Sequence, residues 1–156
     1  MTPTKSTTPK SGSASSTAKV WTEEERAAMQ ESVRERRALS RRGSADERAE
    51  VERDLRAKIA EMPTADRVRA ERIHDLVTTT APTLVPRTYY GMPAYARDNK
   101  VICFFKPASK FKVRYSTFEF QPDARIDDGE MWPVAFAVTE LTPRSEARIA
   151  ELVEKA

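Results

Sequence analysis

Every position of Val101-Ile102-Cys103-Phe104-Phe105 is apolar. Successive side chains of an extended segment leave on opposite faces, so a run of this kind must be covered on both and predicts a central strand. Its neighbours supply the rest of a sheet. Asp98-Asn99 is a pair that tolerates positive φ and joins Ala94–Arg97 to Lys100–Lys106 as a tight hairpin. Arg87–Tyr90 reads as a further strand, with Gly91-Met92-Pro93 between it and the next and Pro93 at an edge or bulge. Pro107-Ala108-Ser109 reads as a turn. In Lys110 to Tyr115, Lys110, Lys112 and Arg114 alternate with Phe111, Val113 and Tyr115, as in a strand with one wet face. Phe118 and Phe120 then fall on the opposite parity, which predicts a bulge near Ser116-Thr117. Val134, Phe136 and Val138 define a last strand.

Helical periodicity flanks this sheet. Thr22-Glu23-Glu24-Glu25 is a capping box that opens a helix through Met29, Val33 and Leu39 to Arg41-Arg42, closed by Gly43. Ser44-Ala45-Asp46-Glu47 opens a second, with Val51, Leu55, Ile59 and Met62 as a narrow apolar stripe, and the two are expected to form a hairpin. A third follows Pro63, capped by Thr64, with Val68, Ile73, Leu76 and Val77 on one face and an end at Thr78-Thr79-Thr80. Thr142-Pro143, with Glu146 in the first turn, starts a last helix through Ile149, Leu152 and Val153.

The expected fold is therefore α+β, an antiparallel sheet covered on one face by helices. It divides into a disordered tail over 1–20, where ten residues are Ser or Thr, a helical hairpin over 21–62, and an α+β domain over 63–156. That last part is expected to fold without the hairpin. The net charge of +3 equals the three lysines of the tail, so no folded segment has the basic excess that nucleic-acid binding needs. No run approaches a bilayer-spanning length, and one cysteine excludes an internal disulfide, which together predict a cytoplasmic protein with no membrane or nucleic-acid partner.

Chemistry-bearing residues are few. The four glycines are too scattered for a phosphate loop. His74 lies on a helix and Cys103 in an apolar strand, where a thiol is inert, so a non-enzymatic protein is expected. Between Glu119 and Glu130 five acids face one base, Arg125, and Asp123, Asp127, Asp128 and Glu130 are oxygen ligands of the kind hard cations prefer. A solvated acidic turn around Gly129 is the other reading of the same residues. An alternative binding surface, for a small molecule or a protein, consists of Tyr90, Met92, Lys112, Arg114 and Trp132. Tyr89, Tyr90, Tyr95, Phe105, Phe118 and Trp132 line a pocket beside Met92 and Met131 in that reading, or pack the core in the plainer one.

Tyr90-Gly91-Met92-Pro93-Ala94-Tyr95, Phe104-Phe105, Ser109-Lys110-Phe111-Lys112, Asp127-Asp128-Gly129 and Met131-Trp132-Pro133 together resemble the YdhG-like family of bacterial domains, often described as frataxin-like intracellular iron chaperones. The resemblance covers about residues 64 to 156. It implies a sandwich of sheet and helices, weak iron binding by the surface carboxylates, and delivery of that iron to an acceptor protein.

Overall fold

A computed structural model describes residues 20–39 and 45–156. The tail over 1–19, the helix end at Arg41-Arg42-Gly43 and the capping residue Ser44 lie outside the described residues. The chain order is α1 (Glu23–Leu39), α2 (Ala45–Ala60), α3 (Thr64–Thr80), β1 (Val85–Tyr89), β2 (Met92–Arg97), β3 (Lys100–Lys106), α4 (Ala108–Phe111), β4 (Ser116–Phe120), β5 (Ala135–Val138) and α5 (Pro143–Lys155). The fold is α+β. The strands pair antiparallel in the order β1-β2-β3-β4-β5, which puts β3, with its apolar run from Val101 to Phe105, at the centre.

Tight turns set this meander. Asp98 and Asn99 have φ of 51° and 62°, the two positive values a primed hairpin turn requires. Tyr90 and Gly91, at 51° and 73°, do the same between β1 and β2, so that link is one residue shorter than the sequence suggests and Met92-Pro93 belong to β2. Pro93 faces Thr88 in the β1 pairing and falls outside the β2–β3 ladder, where its missing N–H costs nothing. The bulge is in β3 rather than at Ser116-Thr117. Tyr95 pairs with Cys103 and Ala96 with Val101, leaving Ile102 between, and Ile102 and Cys103 both enter the main core.

That core lies on one face of the sheet. Ile73 and Val77 of α3 and Ile149, Leu152 and Val153 of α5 pack there against Tyr95, Cys103, Phe105, Phe118 and Phe120. Leu55 and Ile59 of α2 are buried in the same cluster, so the second helix of the expected hairpin is docked on the domain. The opposite face holds a smaller cluster of Met92, Ala94 and Phe104, with Tyr89, Tyr90, Val101 and Phe111 against it, and α1 lies over this side.

Several local expectations change. Lys110 to Tyr115 is not a strand: α4 occupies 108–111, and Lys112, at φ 52°, ends it in the left-handed region. The cause is distant in sequence. Asp66 in the first turn of α3 accepts hydrogen bonds from the Ser109 N–H (3.0 Å) and hydroxyl and from the Ser116 hydroxyl (2.9 Å), capping α4 and tying it to the start of β4. Pro63, not Thr64, stands at the cap of α3 and makes no side-chain cap bond, and Val68 is 57% exposed. On α1, Met29 and Val33 point outward while Ala28 and Ser32 are buried, because small side chains let the helix approach the sheet. The boxes at Thr22/Glu25 and Thr142/Ser145 form, the latter using Ser145 and freeing Glu146 for a two-point ion pair with Arg72 (2.7 and 2.8 Å).

Candidate ligand-binding cleft

A cleft of about 830 Å³ opens between the two N-terminal helices and the second face of the sheet. Val85, Arg87 and Tyr89 alternate along β1 and point into it, as do Ala96 of β2 and Val101 of β3. Ser32, Glu35 and Arg36 close one side from α1, and Glu47, Arg48 and Val51 another from α2. The floor is small and apolar, and the charges stand at its walls and rim.

Glu35 and Arg87 are the half-buried charges. Glu35 Oε1 accepts the Gly91 N–H at 2.8 Å, which fastens α1 to the left-handed turn. Burial pushes the Glu35 carboxyl above its ordinary range, against the pull of that hydrogen bond. Burial draws the Arg87 guanidinium down, opposed by the nearby negative charge of Glu35. Arg87 Nε donates to the Thr88 carbonyl at 3.3 Å, and among the described residues its terminal nitrogens have no hydrogen-bond partner. Tyr89 stands beside them with its hydroxyl pushed up by burial, its ring edge-on to Tyr90 at 4.6 Å and 5.4 Å from Phe104. Tyr90 occupies a backbone region that costs a non-glycine residue on the order of 1 kcal/mol and sits on the lip of the cleft.

A smaller groove of about 240 Å³ lies on the far side of Tyr90. It is lined by Trp21, just ahead of α1, and by Ala28 and Met29 of α1, with Met92, Phe104 and Phe111 beneath. Tyr90 and Met92 of the expected binding surface meet here. The other three residues go elsewhere. Lys112 forms an ion pair with Glu24, whose carboxyl it holds below the ordinary range, so this lysine fastens α1 to the end of α4. Arg114 lies over the Tyr115 ring, 5.0 Å from its centroid. Trp132 packs half-buried against the main core, on the other side of the sheet from Met92, while Met131 is 90% exposed. Tyr95, Phe105 and Phe118 are fully buried core residues.

The four acids expected to hold a cation are all exposed. Asp123 faces Lys100 at 3.6 Å on the rim of the cleft. Asp127 contributes its backbone carbonyl to Lys155 (3.0 Å), and Asp128 and Glu130 flank Gly129. Among the described residues no three Asp, Glu, His or Cys side chains gather as a metal site. His74 and Cys103 are both buried. His74 Nδ1 is 3.1 Å from the Tyr95 hydroxyl, and Nε2 has Glu52 Oε1 at 3.4 Å without hydrogen-bond alignment. Burial alone pushes the Cys103 thiol far up, so it carries no thiolate. Among the described residues no helix is long and apolar enough to cross a membrane.

Glu35 and Arg87 were not singled out by the sequence. The signal for Glu35 was the spacing of Ala28, Ser32 and Glu35 along one side of α1, and for Arg87 its alternation with Val85 and Tyr89. No family model, no curated protein and no solved structure matches this chain.

Proposed function

We propose that this chain is a non-enzymatic binding protein that holds a small organic molecule in the cleft between α1, α2 and strands β1 to β3. One observation carries this reading: Arg87 and Glu35 lie half-buried in a cleft of about 830 Å³ beside a strained Tyr90-Gly91 turn. That volume is in the range of small-molecule sites, which pair an apolar surface with a few fixed polar groups. A binding role rather than a catalytic one fits the burial of the imidazole and the thiol. Screening a fragment library by ligand-observed NMR tests the proposal. Hits are expected with the wild type and are lost in Val85→Trp, which fills the cleft from a half-buried edge-strand position. Hits indifferent to Val85→Trp, or no hits, would refute it.

Iron carriage by Asp123, Asp127, Asp128 and Glu130 draws no comparable support, since these side chains do not converge with a third ligand among the described residues. Anaerobic titration with ferrous iron decides it. Binding tighter than millimolar that disappears when all four are made amides would restore iron transfer to an acceptor protein as the function.

A further inference from the structure

The charges around the cleft are not all accounted for in the same way. Glu35 has the Gly91 N–H, and Lys100 and Asp123 face each other at 3.6 Å. Arg36 Nε donates to the Ser32 carbonyl (3.4 Å), and Arg48 donates to the Pro82 carbonyl (3.1 Å). Arg87 differs. It stands on the sheet itself, half-buried, and spends only Nε on a neighbouring carbonyl, while no carboxylate of a described residue comes within ion-pair distance of its terminal nitrogens. Those nitrogens form the planar fork that matches a carboxylate or phosphate at two points. A cation drawn partly out of water without such a partner is costly, and burial lowers its proton affinity accordingly.

The surroundings favour an anion with an apolar body. Beside Arg87 the sheet surface is made of Val85, Val101 and the small, buried Ala96, none of which brings a polar side-chain group to satisfy. On the rim Arg36, Arg48 and Lys100 stand with Glu47 and Asp123, a small basic excess, and the basic member on the sheet itself is Arg87. Resting on the cleft as the ligand site, we propose that its ligand is an organic anion, with a carboxylate or phosphate group seated on the Arg87 guanidinium and an apolar body lying on Val85, Ala96 and Val101. Tyr89 closes over the junction of the two parts.

The test uses the ¹⁵N-labelled full chain and four probes of one size: benzoate, phenyl phosphate, benzyl alcohol and benzylamine, each titrated near neutral pH. Binding is read from the amides of residues 87–91, 96 and 101. One anion or both are expected to bind about tenfold tighter than benzyl alcohol, the scale of a charge-assisted hydrogen-bonded pair. The tighter of benzoate and phenyl phosphate identifies the group. Arg87→Met erases the preference while leaving benzyl alcohol unchanged, and Arg87→Lys keeps part of it. Glu35→Gln preserves an acceptor for the Gly91 N–H and removes a like charge, so it tightens the anion. Benzyl alcohol or benzylamine binding as well as the anions would overturn the inference while leaving a cleft for neutral or cationic ligands. An anion preference that survives Arg87→Met would overturn it too, as would an anion weakened by Glu35→Gln. Failure of all four probes to shift these amides would remove the inference together with the ligand cleft. Should Arg87→Met not fold, the wild-type preference and the Arg87→Lys titration decide the outcome alone.

Discussion

Replacing Gly91 with alanine tests how α1 is held on the sheet. Gly91 has φ of +73°, a region that costs any residue with a Cβ roughly 1 kcal/mol. A Cβ there would also overlap the Glu31 carboxylate and stand 2.7 Å from Lys110 Nζ. Glu31 must swing away, and it gives up ion pairs to Lys110 (3.4 Å) and Lys58 (3.7 Å). These partly exposed pairs contribute about 0.5 kcal/mol each, so Gly91→Ala is expected to cost about 2 kcal/mol. Gly129 is the control. Its φ is +70° and nothing lies within 4 Å of the added carbon, so Gly129→Ala carries only the backbone cost of about 1 kcal/mol. For a domain of this size the melting temperatures should fall by about 6 and 3 °C respectively, measured by calorimetry. In a Glu31→Ala background the excess at Gly91 should vanish. Equal losses at the two glycines, or an excess that persists without Glu31, would refute this account of the contact.

Three further outcomes follow from the packing. Leu55→Ala opens a cavity where α2 meets the main core and should cost about 3 kcal/mol in urea unfolding; a loss under 1 kcal/mol would mean that α2 does not belong to that core. Asp66→Ala strips the cap from α4 and should cost about 3 kcal/mol. In the wild type the Asp66 carboxyl is held below its ordinary value by Ser109, Ser116 and Arg69 against burial, so its contribution is present at neutral pH and is lost only as acid protonates it below about pH 4. His74 works the other way round from a paired histidine. Burial and Arg56 lower its proton affinity against Glu52 and Asp75, so the unfolded chain takes the proton first and stability falls as pH drops through about 6.5. Stability of His74→Gln should decline less than that of the wild type between pH 7 and 5; parallel profiles would contradict the assignment.

Features set by local chemistry were legible in the sequence. The Thr22 and Thr142 caps, the Asp98-Asn99 turn, the Leu55/Ile59 stripe and the central place of β3 each follow from a few adjacent residues. Where local pattern misleads at 110–115, at Tyr90-Gly91 and along α1, a partner distant in sequence overrides it. Lys110 to Tyr115 alternates like a strand, yet Asp66, more than forty residues earlier, caps it into a helical turn. Tyr90 is a poor residue for a left-handed turn, and the Tyr90-Gly91 hairpin is held by Glu35, which accepts the Gly91 N–H from α1. The face of α1 that carries Met29 and Val33 looked like the inner one, whereas the approach of the helix to the sheet selects Ala28 and Ser32. For the site, the aromatic residues at 89 and 90 were visible as chemistry, while Arg87 and Glu35 acquire meaning only where β1 and α1 meet.

The most direct measurement of the central claim is a map of amide shift changes on the full chain as a binding fragment is added. The cleft reading predicts changes centred on residues 85–91, 96 and 99–101. Changes centred instead on residues 127–132 would contradict it and place the functional surface on the exposed carboxylates.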